Sequence, residues 1–145
     1  MNIRIAKIED LDDINFLNKK YFKENRDFKK ILENKDDYFF IAEDKDKIVG
    51  FSGISYNDWN NTARIIDIFV ISEYRGKGLS DELINKIKSE AKKLKARTII
   101  AEAPSLNDAL KTYLRNGFRV CGFNDRYYSN DAKEIAMFLS FDLNK

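Results

Sequence analysis

The residues Arg75-Gly76-Lys77-Gly78-Leu79-Ser80 join an apolar run, Ile65-Ile66-Asp67-Ile68-Phe69-Val70-Ile71, to a segment where Leu79, Leu83, Ile84, Ile87, Ala91 and Leu94 recur at helical spacing. The run is β-branched and aromatic and reads as a strand; the recurrence reads as an amphipathic helix. Two glycines between them free the backbone to aim its N–H groups at one point, the positive end of the helix dipole. The chemistry such a turn offers is anion binding, and a phosphate-bearing ligand is the first expectation.

Histidine is absent. That removes Ser-His-Asp and Cys-His nucleophilic schemes, imidazole general bases and nearly all zinc patterns, so no metal is expected. Chemistry must then use carboxylates, tyrosines, backbone dipoles and cations. Cys121, the single cysteine, has no imidazole to activate it. Flanked by Val120 and Gly122-Phe123, it reads as a small buried side chain rather than a nucleophile.

These groups have to be positioned by a core, and 145 residues, 43% of them hydrophobic and 34% charged, suffice for one domain spanning 1–145. A net charge of +2 is too small to indicate a nucleic-acid-binding face. Met1-Asn2-Ile3-Arg4 leads into charged, alternating sequence unlike a signal peptide, and no apolar run approaches a membrane span. With no disulfide possible within the chain, a cytoplasmic location without membrane contact is expected.

The pattern predicts a strand at Asn2 to Ala6, then a helix opened by Asp10 as N-cap with Leu11, Ile14, Leu17 and Tyr21 on one face. A shorter helix follows around Phe28, Ile31 and Leu32. Tyr38 to Glu43 and Lys47 to Ile54 form a hairpin about a polar turn, and Asn57 to Thr62 is a loop. After the central strand and helix come a strand at Arg97 to Ala101 ended by Pro104, and a helix over Asp108 to Arg115 stopped at Asn116-Gly117. Phe118 to Phe123 and Glu134 to Asp142 are the last strands. The order β-α-α-β-β-β-α-β-α-β-β gives a single α+β (mixed α/β) domain.

Two familiar phosphate-binding spacings do not fit. A P-loop requires a glycine where Ile71 stands, and Ser or Thr where Gly78 follows Lys77. A dinucleotide fingerprint requires a third glycine at Asp81. Val70 to Ser80, by contrast, resembles the acetyl-CoA-binding motif of the GNAT superfamily of N-acetyltransferases, Arg/Gln-x-x-Gly-x-Gly/Ala after a strand ending in Val. It departs at Ser80, where Gly or Ala is usual, and at Ser72, where Pro is common. Lys47-Ile48-Val49-Gly50-Phe51 resembles the family's third strand. Ala109, Tyr113 and Gly117-Phe118 resemble its Ala-x3-Tyr-x3-Gly-Phe signature. The family's Asn falls at Leu106 in strict register, one residue before Asn107. The element order is also the family's, so the resemblance covers nearly the whole chain and implies a central, mostly antiparallel mixed sheet flanked by helices.

The resemblance implies that Gly76, Lys77, Gly78, Leu79 and Ser80 offer backbone N–H groups to the CoA pyrophosphate, with Arg75 and Lys77 adding charge and Asn107 at the cofactor. Phe69 and Val70 would pair with the pantetheine arm, one amide polarising the thioester carbonyl. Tyr113 would protonate the departing thiolate. For the proton that an amine must lose, Asp67 is the leading carboxylate and Glu102 a substitute; Asp67 reads equally as a carboxylate capping or salt-bridging a loop. The acceptor region would be Tyr21 to Asp27 and Asn124 to Asp131, where Glu24, Asp125 and Asp131 attract a cation and Tyr127 and Tyr128 wall a pocket.

The function expected is therefore acetyl transfer from acetyl-CoA to a primary amine by direct transfer in a ternary complex, with a small amine as acceptor. A protein N-terminus as acceptor, and a CoA-binding sensor with little catalysis, are the alternatives. The segment Gly122 to Tyr128 followed by Glu134 to Phe138 resembles both protein N-terminal and streptothricin-type acetyltransferases, and Asp67 to Tyr74 resembles the polyamine enzymes. Homodimers are common in the family.

Overall fold

The hydrophobic alternations become strands of one sheet in a computed structural model that describes residues 1–21 and 26–143. In chain order the elements are β1 (Asn2–Ile5), α1 (Leu11–Tyr21), α2 (Phe28–Glu33), β2 (Asp37–Asp44), β3 (Lys47–Asn57), β4 (Thr62–Val70), α3 (Leu79–Lys93), β5 (Thr98–Pro104), α4 (Asp108–Arg115), β6 (Arg119–Asn124) and β7 (Ala136–Asp142). Short 3-10 turns at Ile8–Asp10 and Ser72–Tyr74 precede α1 and follow β4. The sheet runs β1-β2-β3-β4-β5-β7-β6. Every neighbouring pair is antiparallel except β4 and β5. The α+β class and the mostly antiparallel mixed sheet are as the sequence implies.

Helices cover both faces. Phe39, Phe51 and Phe69 meet across β2, β3 and β4, with ring centroids 5.3 Å apart in each successive pair. They project to the face covered by α1 and α2, where Tyr21 packs on Phe69 and Phe28 on Phe39 and Phe51. Burying each such ring contributes about 2–3 kcal/mol. α3 covers the other face through buried Leu83, Ile84, Ile87 and Ala91. Gly50 leaves room there: a Cβ would come within 2.8 Å of the Phe69 carbonyl and 3.5 Å of Leu83.

Three expectations are corrected. Asp10 does not open α1 as its N-cap; it ends the preceding 3-10 turn, where its carboxylate accepts the Lys7 N–H (2.7 Å) and two bonds from Arg4. The Arg4 charge competes successfully for the group that would otherwise cap the helix. Cys121 is exposed, not buried. It lies on β6, the edge strand of the sheet among the described residues, and its Sγ approaches Phe138 O at 3.4 Å. The central strands also run longer than their apolar cores, because pairing continues through Asn57–Thr62 and Pro104–Ala136. Among the described residues no helix is long and apolar enough to cross a membrane.

Candidate functional site

The site is built where β4 and β5 part. Their parallel pairing consists of Thr62–Thr98, Ala63–Ile99 and Arg64–Ile100, and then stops. β4 runs on to Val70 and β5 to Pro104, the latter paired only with β7. A bulge assists: Gly53 pairs with Asp67 and Ile54 with Ile65, leaving Ile66 unpaired and bending β4. The gap opens at the C-terminal ends of two parallel strands joined through α3, the end at which open α/β sheets bind ligands.

Backbone direction along β4 follows from the ladder. Ile71 N–H donates to Val49 O at 2.9 Å. Alternation in an antiparallel pair then directs the peptide groups of Phe69 toward β3 and those of Ile68 and Val70 toward the gap. The Ile68 N–H is taken by Asp67 Oδ1 (2.9 Å), and the Val70 carbonyl by Arg75 Nε (3.0 Å). Of the two strand residues singled out from the sequence, Val70 thus has its amide on the gap side. Phe69 contributes its ring, packed on Tyr21 and Phe51.

Beyond Val70 the chain makes the glycine turn. Gly76 (φ 75°) and Gly78 (φ 82°) are left-handed, and nothing lies within 4 Å of a Cβ built on either, so backbone conformation rather than space demands glycine. Gly78 is the N-cap of α3 without a side-chain cap. The first helical bond is Glu82 N–H to Gly78 O (3.1 Å), and the amides of Leu79, Ser80 and Asp81 find no acceptor among the described residues. Leu79 itself is buried, so only its backbone faces the turn. Arg75 and Lys77 are exposed; the Arg75 guanidinium carbon lies 6.0 Å from the Phe69 ring centroid and Lys77 Nζ 5.3 Å from that of Tyr74.

Asp81 is the carboxylate that would oppose an anion here. It is turned to α4, accepting Arg115 Nη2 at 2.7 Å and Asn116 Nδ2 at 2.8 Å, and both hold it below the ordinary aspartate range. Lys88 Nζ donates to Asn116 O (2.6 Å) and lies 4.0 Å over Phe141; burial lowers its pKa. α3 and α4 are thereby pinned to each other.

α4 carries Tyr113, 3% exposed, its ring 5.2 Å from that of Phe118. Burial first, then the Glu102 carboxylate, raises its pKa above the ordinary phenol value. It is therefore a neutral O–H donor throughout the physiological range. Asn107 caps this helix, its Oδ1 accepting the Ala109 N–H (2.8 Å), which commits that oxygen to α4; Leu106 is exposed.

The two candidate carboxylates sit differently. Asp67 has the parity of Phe69 and projects to the α1–α2 face, where Arg26 binds its Oδ2 while Oδ1 holds the Ile68 amide. The salt-bridging reading of Asp67 is the one the geometry realises. Glu102, on β5, accepts the Tyr128 hydroxyl on Oε1. Asp131 is bonded within its own loop to Ser129 and the Lys133 N–H, and Asp125 pairs with Arg126. Glu24 lies outside the described residues. The Arg26–Asp67 and Tyr128–Glu102 links were not legible: each joins groups 41 and 26 residues apart, with no local signature.

Residues 4–118 match the model of the acetyltransferase (GNAT) family. A streptothricin acetyltransferase of Streptomyces lavendulae is 33% identical over 104 residues, 70% of this chain and 55% of that protein. An uncharacterised N-acetyltransferase of Methanocaldococcus jannaschii is 33% identical over 134 residues, 80% of this chain and 59% of that one. The chain thus spans little more than half the length of these relatives. A Bacillus anthracis protein assigned as a streptothricin acetyltransferase, solved with acetyl coenzyme A, superposes with a TM-score of 0.83 at 25% identity, over 99% of this chain and 98% of that one.

Proposed function

Because the chain belongs to the acetyltransferase (GNAT) family, we propose that it transfers the acetyl group of acetyl-CoA directly to a primary amine in a ternary complex. The observation that carries this reading is the parting of β4 from β5 after Arg64–Ile100, with the uncapped start of α3 at the end of β4. Such a gap accepts an extended arm between strands while the turn binds a diphosphate at one end.

Each group then has one task. The amides that follow Gly78, with Arg75 and Lys77 nearby, bind the diphosphate. The Val70 N–H, directed into the gap, polarises the thioester carbonyl, where one such donor is worth about 10²–10³ in rate. Tyr113 gives its proton to the departing thiolate. Glu102 replaces Asp67 as the proton acceptor, because both Asp67 oxygens already hold donors. Glu102 Oε2 has no hydrogen-bond partner among the described residues. Likeness to a streptothricin acetyltransferase supports a small cationic amine as acceptor.

The test is release of the CoA thiol from acetyl-CoA across small amines, aminoglycosides, polyamines and N-terminal peptides. Turnover with small amines and intersecting double-reciprocal plots are expected. Turnover confined to peptides would move the acceptor to a protein N-terminus. Binding of acetyl-CoA with no turnover across the panel would make the protein a sensor.

A further inference from the structure

One side chain outside the reacting groups bonds directly to Glu102. Between Asn124 and Ala136 the chain has no regular secondary structure, and its polar side-chain bonds are mostly internal. From its central part, residues 125–133, the Arg126 N–H bonds back to Asn124 Oδ1 at the adjoining end of β6. Among the described residues the one hydrogen bond that reaches a sheet strand beyond this is that of the Tyr128 hydroxyl to Glu102 Oε1. The ring that carries this hydroxyl is held independently: Tyr128 packs edge-on to Tyr127 (5.2 Å, 76°), and Tyr127 edge-on to Phe138 of β7 (6.0 Å, 78°). Phe138 is the cross-strand partner of Glu102. Tyr128 is therefore anchored on the strand beside the carboxylate that it touches.

We propose that Tyr128 is the positioning residue for proton removal: by occupying Glu102 Oε1 it fixes the carboxylate so that Oε2 faces the acceptor nitrogen. The proposal rests on the acetyl-transfer reading above. The Glu102 charge is felt by Tyr113 of α4 and by Tyr128, whose hydroxyl it accepts; Tyr127 and Glu134 also act electrostatically on Tyr128, while β7 sets uncharged Phe138 opposite Glu102. In the step itself the acceptor ammonium gives a proton to Glu102 Oε2, and the freed lone pair forms the C–N bond at the thioester carbon. The C–S bond breaks, the thiolate takes the Tyr113 proton, and the proton shed by the new amide nitrogen restores Tyr113. Ammonium and thioester become amide, thiol and one proton.

A hydrogen bond to one carboxylate oxygen restricts rotation of the group and so fixes the direction of the other. Tyr128→Phe keeps the ring and its packing and removes only the donor. Its kcat/KM for the amine should fall about tenfold at neutral pH, through kcat rather than through the KM for the amine. Its KM for acetyl-CoA and its melting temperature should stay at the wild-type values. Glu102→Gln should lower kcat about 100-fold, and adding Tyr128→Phe to it should cost nothing more, since the two act as a unit. An unchanged kcat in Tyr128→Phe, or additive losses in the double variant, overturns the proposal while wild-type turnover keeps the acetyl-transfer reading intact. Absence of wild-type turnover with every amine overturns both.

Discussion

Tyr113 is placed by its neighbours more than by its own helix. α4 is short, Asp108–Arg115, and its last residues are held by Asp81 and Lys88 of α3. The tyrosine ring is buried against Phe118, and its hydroxyl makes no hydrogen bond among the described residues. Its raised pKa makes it a weaker acid than free phenol but a permanent donor, suited to meeting a thiolate only as that charge develops. Tyr113→Phe, which leaves volume and packing nearly unchanged, should lower kcat about 100-fold with no change in acetyl-CoA affinity. Steady-state kinetics alongside calorimetry would check this; a wild-type kcat would remove the acid role. Asp67 gives the opposite lesson. Its residue type suited a base, yet its pairing with Arg26 uses it to tie the chain before α2 to the central strand.

Among elements, β1 is held by a charge cluster in addition to its ladder with β2. Arg4 binds Asp10 at 2.9 Å and Glu43 of β2 at 2.8 Å, joining β1, the turn before α1 and β2. Arg4 holds the Asp10 carboxyl below its ordinary value, against the raising effect of burial. A depressed folded-state pKa means stability that is fully present above the unfolded value of about 3.9 and is lost as pH falls through the folded one. Asp10→Asn should therefore cost about 1–2 kcal/mol at pH 7. That difference from wild type should shrink steadily in thermal melts taken below about pH 4. A difference independent of pH would show that the carboxylate charge is not what holds β1. At this same scale the hairpin of β2 and β3 closes over Lys45 and Asp46, both left-handed at φ 51° and 67°, in the two-residue geometry that matches strand twist.

For the molecule as a whole, the proposed occupation of the gap between β4 and β5 predicts a link between binding and stability. A ligand spanning the glycine turn and the strand ends contacts both halves of the sheet. Acetyl-CoA at 100 times its dissociation constant should stabilise the fold by about 2.7 kcal/mol. For a chain of this length that raises the melting temperature by roughly 5–10 °C. ATP, which shares phosphate but lacks the pantetheine arm, should give a much smaller shift in the same thermal-shift assay. Equal shifts would mean that the turn alone, and not the parted strands, recognises the ligand.

Much of this was legible along the chain. The element order, the glycine turn with its strand and helix, and the placing of Tyr113 four residues before Gly117 all depend on local spacing, since strand, helix and turn each impose a short period on the residues that form them. Length, charge and the absence of histidine likewise limited the chemistry without reference to any contact. What the tertiary structure alone decided is which of two carboxylates has both oxygens engaged and which has one to spare. Arg26 and Tyr128 reach Asp67 and Glu102 from far along the chain, and the parting of β4 from β5 arises from a bulge and from strands paired on only one side. Sequence periodicity records the face on which a side chain lies; only the folded chain determines what it meets there.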